Sequence, residues 1–181
     1  MKEIEKELKE CFALALKEEE RGKKHKGLIV TNFNIEEAKC YLEKAKESLE
    51  FCYIYKQKEA DYKIPEEWFY ALYYCGLAIL SKFGVESRSQ RYTALLLSYL
   101  QNKELINYNK EFIDRIVVYK EKERESDVDE REKARYGSWI KNDKVRERYN
   151  DMMNLCKQAI TQAEEVIFSK EDFTIPKELL E

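Results

Sequence analysis

Residues 68–80 read WFYALYYCGLAIL, the longest apolar run in the chain. A helix that spans a membrane needs about 20 apolar residues, so this run is too short to cross a bilayer. Proline is common in the first turn of a helix, and Pro65 lies just before the run. Glycine is common directly after a helix end, and Gly84 follows the run. The run therefore predicts a helix over residues 66–83 that is buried on most sides.

The segments around this run repeat apolar residues at helical spacing. Asn34 is a good N-cap for the preceding helix, because its side chain accepts hydrogen bonds from free N–H groups of the first turn. A polar stretch, residues 126–133, interrupts the helical pattern before a last helix with a continuous apolar stripe. The expected helices cover residues 1–21, 35–58, 66–83, 91–101 and 142–168, with a further helix that starts around residues 103–109 and continues to about 124.

The composition favours helices over sheets, since five Gly and two Pro leave few residues for tight turns. We predict an all-α fold with more than about two thirds helix and no sheet, an antiparallel up-and-down bundle of about four to five helices. The chain forms a single domain over residues 1–181. A leading helix and basic loop occupy residues 1–34, the bundle core 35–170 and a tail 171–181.

The charge balance and the cysteines bear on the partners and the compartment. With 33 basic and 36 acidic residues the formal charge is −3, so any polyanion site must be local.

The five cysteines are odd in number, form no CxxC motif and lie among apolar residues, which indicates buried, reduced thiols of a cytoplasmic protein. The N-terminal MKEIEKELKE lacks the apolar core of a signal peptide, and we expect no contact with a membrane.

Most known arrangements of catalytic or metal-binding residues are excluded, because the chain contains a single histidine, His25. Di-iron bundles need two Glu-x-x-His units and zinc proteases need paired histidines. No P-loop or GxGxxG motif occurs. We therefore predict no metal, no cofactor and no assigned catalytic residue.

Two features could bind a phosphate. The loop RGKKHKG, residues 21–27, carries Lys24 and His25 among four fixed positive charges and no acid. It is either a solvated connection or a loop that folds over a phosphate. The segment ESRSQRY, residues 86–92, places two arginines and small hydroxyls where a helix begins. It is either an anion site or an N-cap with arginines facing solvent.

The third feature is an aromatic stripe, Trp68, Phe69, Tyr70, Tyr73 and Tyr74. Bases can stack on such rings. Rings this closely spaced cover most of a helix circumference, so the favoured interpretation is core and oligomer interface.

The order of these segments resembles the HEPN family, the helical domains named for higher eukaryotes and prokaryotes nucleotide-binding. The similarity lies in RGKKHKGLI, then AKCYLEKAKESLEFCY, then WFYALYYCGLAILSKFGVESRSQRYTALL. It covers residues 20–100 well, and ARYGSWI (residues 134–140) with the last helix more loosely. The resemblance implies a homodimeric helical bundle that binds nucleotide or RNA, or cleaves RNA without metal. It also implies a toxin paired with a minimal nucleotidyltransferase antitoxin.

Catalytic relatives carry an Arg followed a few residues later by a His, and this chain departs from that pattern. No His follows Arg88 anywhere, and Gln90 can form hydrogen bonds but cannot titrate. The predicted phosphate-binding residues are Ser87, Arg88, Gln90, Arg91, Lys24 and His25. Phosphate binding without cleavage is the favoured hypothesis. A metal-independent ribonuclease and a homodimeric interaction module without a ligand stay open as alternatives.

Overall fold

A computed structural model describes residues 2–117 and 142–181. Of these residues 73% are helical, in six α-helices and two short 3-10 helices, with one two-stranded sheet, which confirms the predicted helix content. The elements in chain order are α1 (Lys2–Glu20), β1 (Leu28–Val30), α2 (Ile35–Gln57), α3 (Ile64–Lys82), β2 (Val85–Ser87), α4 (Gln90–Asn102), α5 (Lys110–Ile116) and α6 (Asn142–Phe168). The predicted segments 126–133 and 134–140 lie outside the described residues.

Helix α3 lies at the centre of the fold and contains the apolar run. It contacts α2, α4, α5, α6 and β2, and its side chains from Leu77 to Leu80 are buried on successive faces. Pro65 lies in its first turn, and Gly84 follows its end with φ +65°. That left-handed conformation suits glycine, since other residues adopt it at a cost. The prediction that this helix is buried on most sides is confirmed.

Helices α2 and α6 pack on α3. The short turn between α2 and α3 reverses the chain, so these two helices form an antiparallel pair. The side chain of Asn34 accepts hydrogen bonds from the amides of Glu36 and Glu37 and caps α2 as expected. The predicted stripe of α6 is buried along its whole length: Val145, Tyr149, Met152, Cys156, Ile160, Ala163 and Ile167.

The prediction that the chain has no sheet is wrong. Strands β1 and β2 pair antiparallel, with Leu28 opposite Ser87 and Val30 opposite Val85. We call this pair the ribbon. Three residues are too few to show a period of two, and the partners lie far apart in sequence, so no local pattern indicated the pairing. The side chains of Leu28 and Val85 are buried, which anchors the ribbon to the core.

Three further expectations need correction. The helix expected to start around residues 103–109 and to continue to about 124 begins at Lys110, after its cap Asn109, and ends at Ile116, because Val117 has an extended backbone. Residues 118–124 lie outside the described residues. The C-terminal residues are packed rather than a free tail, since Ile175 and Leu179 are buried. Cys40 is exposed, while the other four free thiols are buried. Two positions correspond to about 200° around a helix, so Cys40 lies opposite the buried Leu42.

Candidate functional site

The ribbon brings the basic loop beside the start of α4. The amide of Arg88 donates a hydrogen bond to the carbonyl of Gly27 over 3.0 Å, which extends the pairing one residue beyond β2. A Cβ atom at Gly27 would lie 2.6 Å from Sγ of Cys11, so the glycine lets the ribbon pack closely on α1. Two segments that are distant in sequence are therefore neighbours in the fold.

His25 lies next to Glu86 and Arg88. Oε1 of Glu86 is 3.4 Å from Nε2 of His25 and 2.6 Å from Nε of Arg88. The imidazole is buried, whereas the Arg88 side chain is 39% exposed. One carboxylate oxygen thus faces both the histidine and the arginine that the sequence places in separate segments. We call His25, Glu86 and Arg88 the Arg88 site.

The basic loop is not simply solvated, because His25 within it is only 2% exposed. The loop packs against the last turn of α1, which supplies the acidic side chains that the loop itself lacks. The amide of His25 donates to Glu19, and the amide of Lys26 donates to Glu18 over 2.9 Å. Lys24 remains exposed beside the buried histidine. The loop therefore presents a lysine at the surface with its histidine turned into the protein.

The hydroxyl groups around the start of α4 hold the backbone. Oγ of Ser87 lies 2.7 Å from Oγ1 of Thr93 and donates to the carbonyl of Ser89. Oγ of Ser89 accepts a hydrogen bond from the amide of Tyr92, so Ser89 caps the helix. The N-cap interpretation of this segment is confirmed for Ser89. Ser87, a predicted phosphate-binding residue, contacts buried Thr93.

The two arginines of this segment contact different carboxylates. Arg91 forms an ion pair with Glu7 of α1 and so ties α4 to the first helix. Arg88 pairs with Glu86 on the ribbon. Gln90, the first residue of α4, is half-buried. Of the predicted residues, the structure brings His25 and Arg88 together through Glu86 and directs Arg91 to another partner.

The aromatic stripe is divided between core and surface. Trp68 and Phe69 are buried in the core, as the favoured interpretation predicts. Tyr70 and Tyr74 are half-buried and stack with ring centroids 5.7 Å apart. The ring of Tyr74 also stacks on Tyr41 of α2, at 6.3 Å. Tyr70 and Tyr74 of the stripe thus form a surface with Tyr41 from another helix.

Burial is the main cause of a raised pKa for the Tyr41 phenol, and the neighbouring Glu37, Tyr73 and Glu86 raise it further. The phenol is therefore neutral at physiological pH and can donate a hydrogen bond.

Sequence reasoning missed Glu86 and Tyr41. Val85 is buried, and a strand directs the next side chain to the other face, so Glu86 points away from the core. Nothing in the sequence around Tyr41 indicated that its ring meets Tyr74. Both contacts depend on how α2, α3 and the ribbon pack.

A groove of about 530 Å³ lies between α1, β1 and the C-terminal residues. Apolar side chains line most of it, including Leu16, Val30 and Leu180, and none of the predicted site residues does. Among the described residues no group of three or more His, Cys, Asp and Glu side chains could hold a metal ion.

Over residues 2–117 and 142–181, no helix combines the length and the hydropathy that a membrane span requires. Comparison with protein-family models, with curated proteins and with solved structures found no match for this chain.

Proposed function

We propose that this chain is a HEPN-like protein that binds a nucleotide or RNA phosphate at the Arg88 site. The observation that carries the proposal is the exposed guanidinium of Arg88, held through Nε at the end of the ribbon beside the basic loop. A guanidinium has five N–H donors, of which Nε carries one. The four on the terminal nitrogens suit the paired oxygens of a phosphate.

The charges around Arg88 bear on the strength of the proposed site. Lys24 adds an exposed cation next to the buried His25. Glu86 acts as an internal counter-ion of Arg88, which a phosphate must partly displace. Because the net charge of the chain is −3, binding depends on this local arrangement. Arg91, paired with Glu7, contributes less to phosphate binding in this proposal.

The test is the affinity of the purified protein for fluorescently labelled single-stranded RNA and for tripolyphosphate at low salt. Replacing Arg88 with Ala should weaken binding by about 1.5–3 kcal/mol, the value of a hydrogen bond to a charged group. The dependence of affinity on salt should also fall by about one phosphate contact.

Lys157→Ala is the matched control, since it removes one positive charge from an exposed position on α6. It should bind like wild type. The proposal is wrong if Arg88→Ala binds both ligands as tightly as wild type does. If wild type binds neither ligand at low salt, the interaction module without a ligand is the better description.

A second candidate function, metal-independent RNA cleavage, is favoured by one observation. His25 and Arg88 meet at the same oxygen of Glu86 although they come from different segments. An imidazole can move the proton of a 2′-hydroxyl while an arginine stabilises the phosphate. We expect little or no cleavage at neutral pH, because His25 is buried. Cleavage in the presence of a chelator that is lost in both His25→Ala and Arg88→Ala would overturn that expectation.

The proposal extends to assembly and to the partner. As the resemblance implies, we propose a cytoplasmic homodimer that pairs with a nucleotidyltransferase-type antitoxin. Sedimentation at micromolar concentration should give twice the chain mass of 21.8 kDa. A monomer would contradict the dimer. Failure to co-purify with the product of an adjacent nucleotidyltransferase gene would contradict the pairing.

A further inference from the structure

We infer that His25 is a pH-sensitive switch of the Arg88 site: protonation of its imidazole draws Glu86 away from Arg88 and raises the affinity of the site for a phosphate. This inference rests on the proposed function and concerns the regulation of that same site. It gives a role to the single histidine of the chain, which the proposed contact between Arg88 and phosphate does not use.

The imidazole of His25 is enclosed by protein but poorly partnered. Its side chain is 1% exposed. Among the described residues, neither Nδ1 nor Nε2 has a hydrogen-bond partner. Most buried polar side chains are hydrogen-bonded, because an unpaired polar group away from water costs free energy. The neutral imidazole is therefore poorly stabilised in this position.

Glu86 is the carboxylate that a charged imidazole can use. Its Oε1 atom lies 3.4 Å from Nε2 of His25, which is within the distance of an ion pair. The same oxygen accepts the hydrogen bond from Nε of Arg88 over 2.6 Å. Protonated His25 and Arg88 therefore compete for one carboxylate oxygen. Arg88 is partly exposed and can exchange this contact for water or a phosphate, whereas buried His25 cannot.

The other ionisable groups around His25 keep one charge state while an imidazole titrates. The last turn of α1 supplies Glu19, which accepts a hydrogen bond from the amide of His25, and Glu18, which accepts one from the amide of Lys26. Carboxyl groups ordinarily titrate near pH 4, and lysine and arginine above about pH 10. The charged groups that face the loop are Glu18, Glu19, Lys24, Lys26, Glu86 and Arg88.

The neutral groups on the adjoining helices also keep their protons. Burial is the main cause of a raised pKa for Cys11 of α1, to about 11, and for Tyr41 of α2, where Glu86 adds to the effect. Both groups therefore stay uncharged between about pH 6 and 8, the range in which histidine ordinarily changes its charge. His25 is the group of this set whose charge changes there.

Protonation of His25 favours an anion at Arg88 for two reasons. Glu86 neutralises less of the guanidinium charge, and the site gains a further positive charge. Binding and protonation are coupled reciprocally, so a phosphate bound at Arg88 favours the charged imidazole to the same extent. The pair formed by His25 and Glu86 thus makes phosphate binding stronger as the pH falls.

The first measurement follows the imidazole by NMR in the free protein. Because the chain has one histidine, a single set of imidazole signals reports the charge of His25. The imidazole should lose its charge at a higher pH in Arg88→Ala than in wild type, since Glu86 then serves His25 alone. In Glu86→Gln it should lose its charge at a lower pH. If all three proteins titrate alike, or if wild type shows no titration between about pH 5 and 8, the inference is wrong.

The second measurement is the affinity for single-stranded RNA that carries no terminal phosphate and a dye that does not titrate. Its phosphodiesters keep their charge over this pH range. From about pH 8 to about pH 6, wild type should gain about 1.4- to fivefold in affinity, the value of an exposed ion pair. His25→Gln, which retains every other titrating group of the chain, and Glu86→Gln should not show this gain. Lys24→Gln is the control: it should lower the affinity by the same factor at both pH values, because lysine keeps its charge.

The outcomes separate this inference from the proposed function. If His25→Gln or Glu86→Gln gains as much affinity as wild type on acidification, the inference is wrong and the proposed phosphate binding at Arg88 is unaffected. If Arg88→Ala binds RNA as tightly as wild type at both pH values, the proposed function fails. The order of the imidazole titrations, which needs no ligand, then still decides whether His25 and Arg88 compete for Glu86.

Discussion

Arg88 donates a hydrogen bond from Nε to Oε1 of Glu86 over 2.6 Å, two positions earlier along the ribbon. Alternate residues of an extended strand point to the same face, so the two side chains meet without a turn. The carboxylate holds the guanidinium in one orientation and also neutralises part of its charge. These two effects act on ligand binding in opposite directions.

We expect Glu86→Gln to bind phosphate ligands more tightly than wild type. The amide oxygen can still accept the hydrogen bond from Arg88, but the competing negative charge is gone. An exposed ion pair is worth about 0.2–1 kcal/mol, so the affinity for tripolyphosphate should rise about 1.4- to fivefold. A loss of affinity would show that the charge of Glu86, and not only its hydrogen bond, positions Arg88.

Arg91→Ala should affect stability more than binding. Its ion pair with Glu7 joins α4 to α1, and both side chains are about one third exposed. A partly exposed pair of this kind contributes up to about 1 kcal/mol, so urea denaturation should show a small fall in the free energy of unfolding. RNA affinity should fall much less than in Arg88→Ala. Equal losses in the two variants would place both arginines at the phosphate.

Leu77→Asp should abolish soluble folding. Leu77 is 7% exposed on the central helix, and an unpaired carboxylate buried there costs several kcal/mol. Leu14→Asp is the matched control, since Leu14 is 61% exposed on α1. Circular dichroism of the soluble fraction measures the result. A soluble, helical Leu77→Asp protein would show that the core does not depend on α3.

On acidification, the C-terminal residues should lose their packing at a higher pH than the helical bundle does. A backbone hydrogen bond, followed by the hydrogen bonds from Tyr99 and Lys103, lowers the pKa of Glu178 below its ordinary value. A lowered carboxyl pKa stabilises the fold above the ordinary value, and this contribution is lost as pH falls through the lowered one. Hydrogen exchange at residues 171–181 should therefore rise on acidification below about pH 4. In Glu178→Gln this acid-dependent increase should be smaller.

The helices could be read from the sequence because their signals are local. Helix α6 ends where its apolar stripe predicts, and Asn34 caps α2 as expected. Gly84 ends α3 because a positive φ is easily adopted there. Each of these features depends on residues within a few positions of one another. The sequence by itself therefore determined the helical class, the central helix and most helix bounds.

Only the tertiary structure decided the content of the candidate site. Strand pairing between Leu28 and Ser87 closes a long loop of chain, and three-residue strands carry no periodic signal of their own. That pairing sets His25 against Glu86 and Arg88, and the packing of α2 on α3 sets Tyr41 on Tyr74. Contacts between distant segments arise from the burial of shared apolar surface, which depends on the whole fold. The sequence indicates Arg88 and His25 as candidates in separate segments, and the pairing of the ribbon brings the two side chains together.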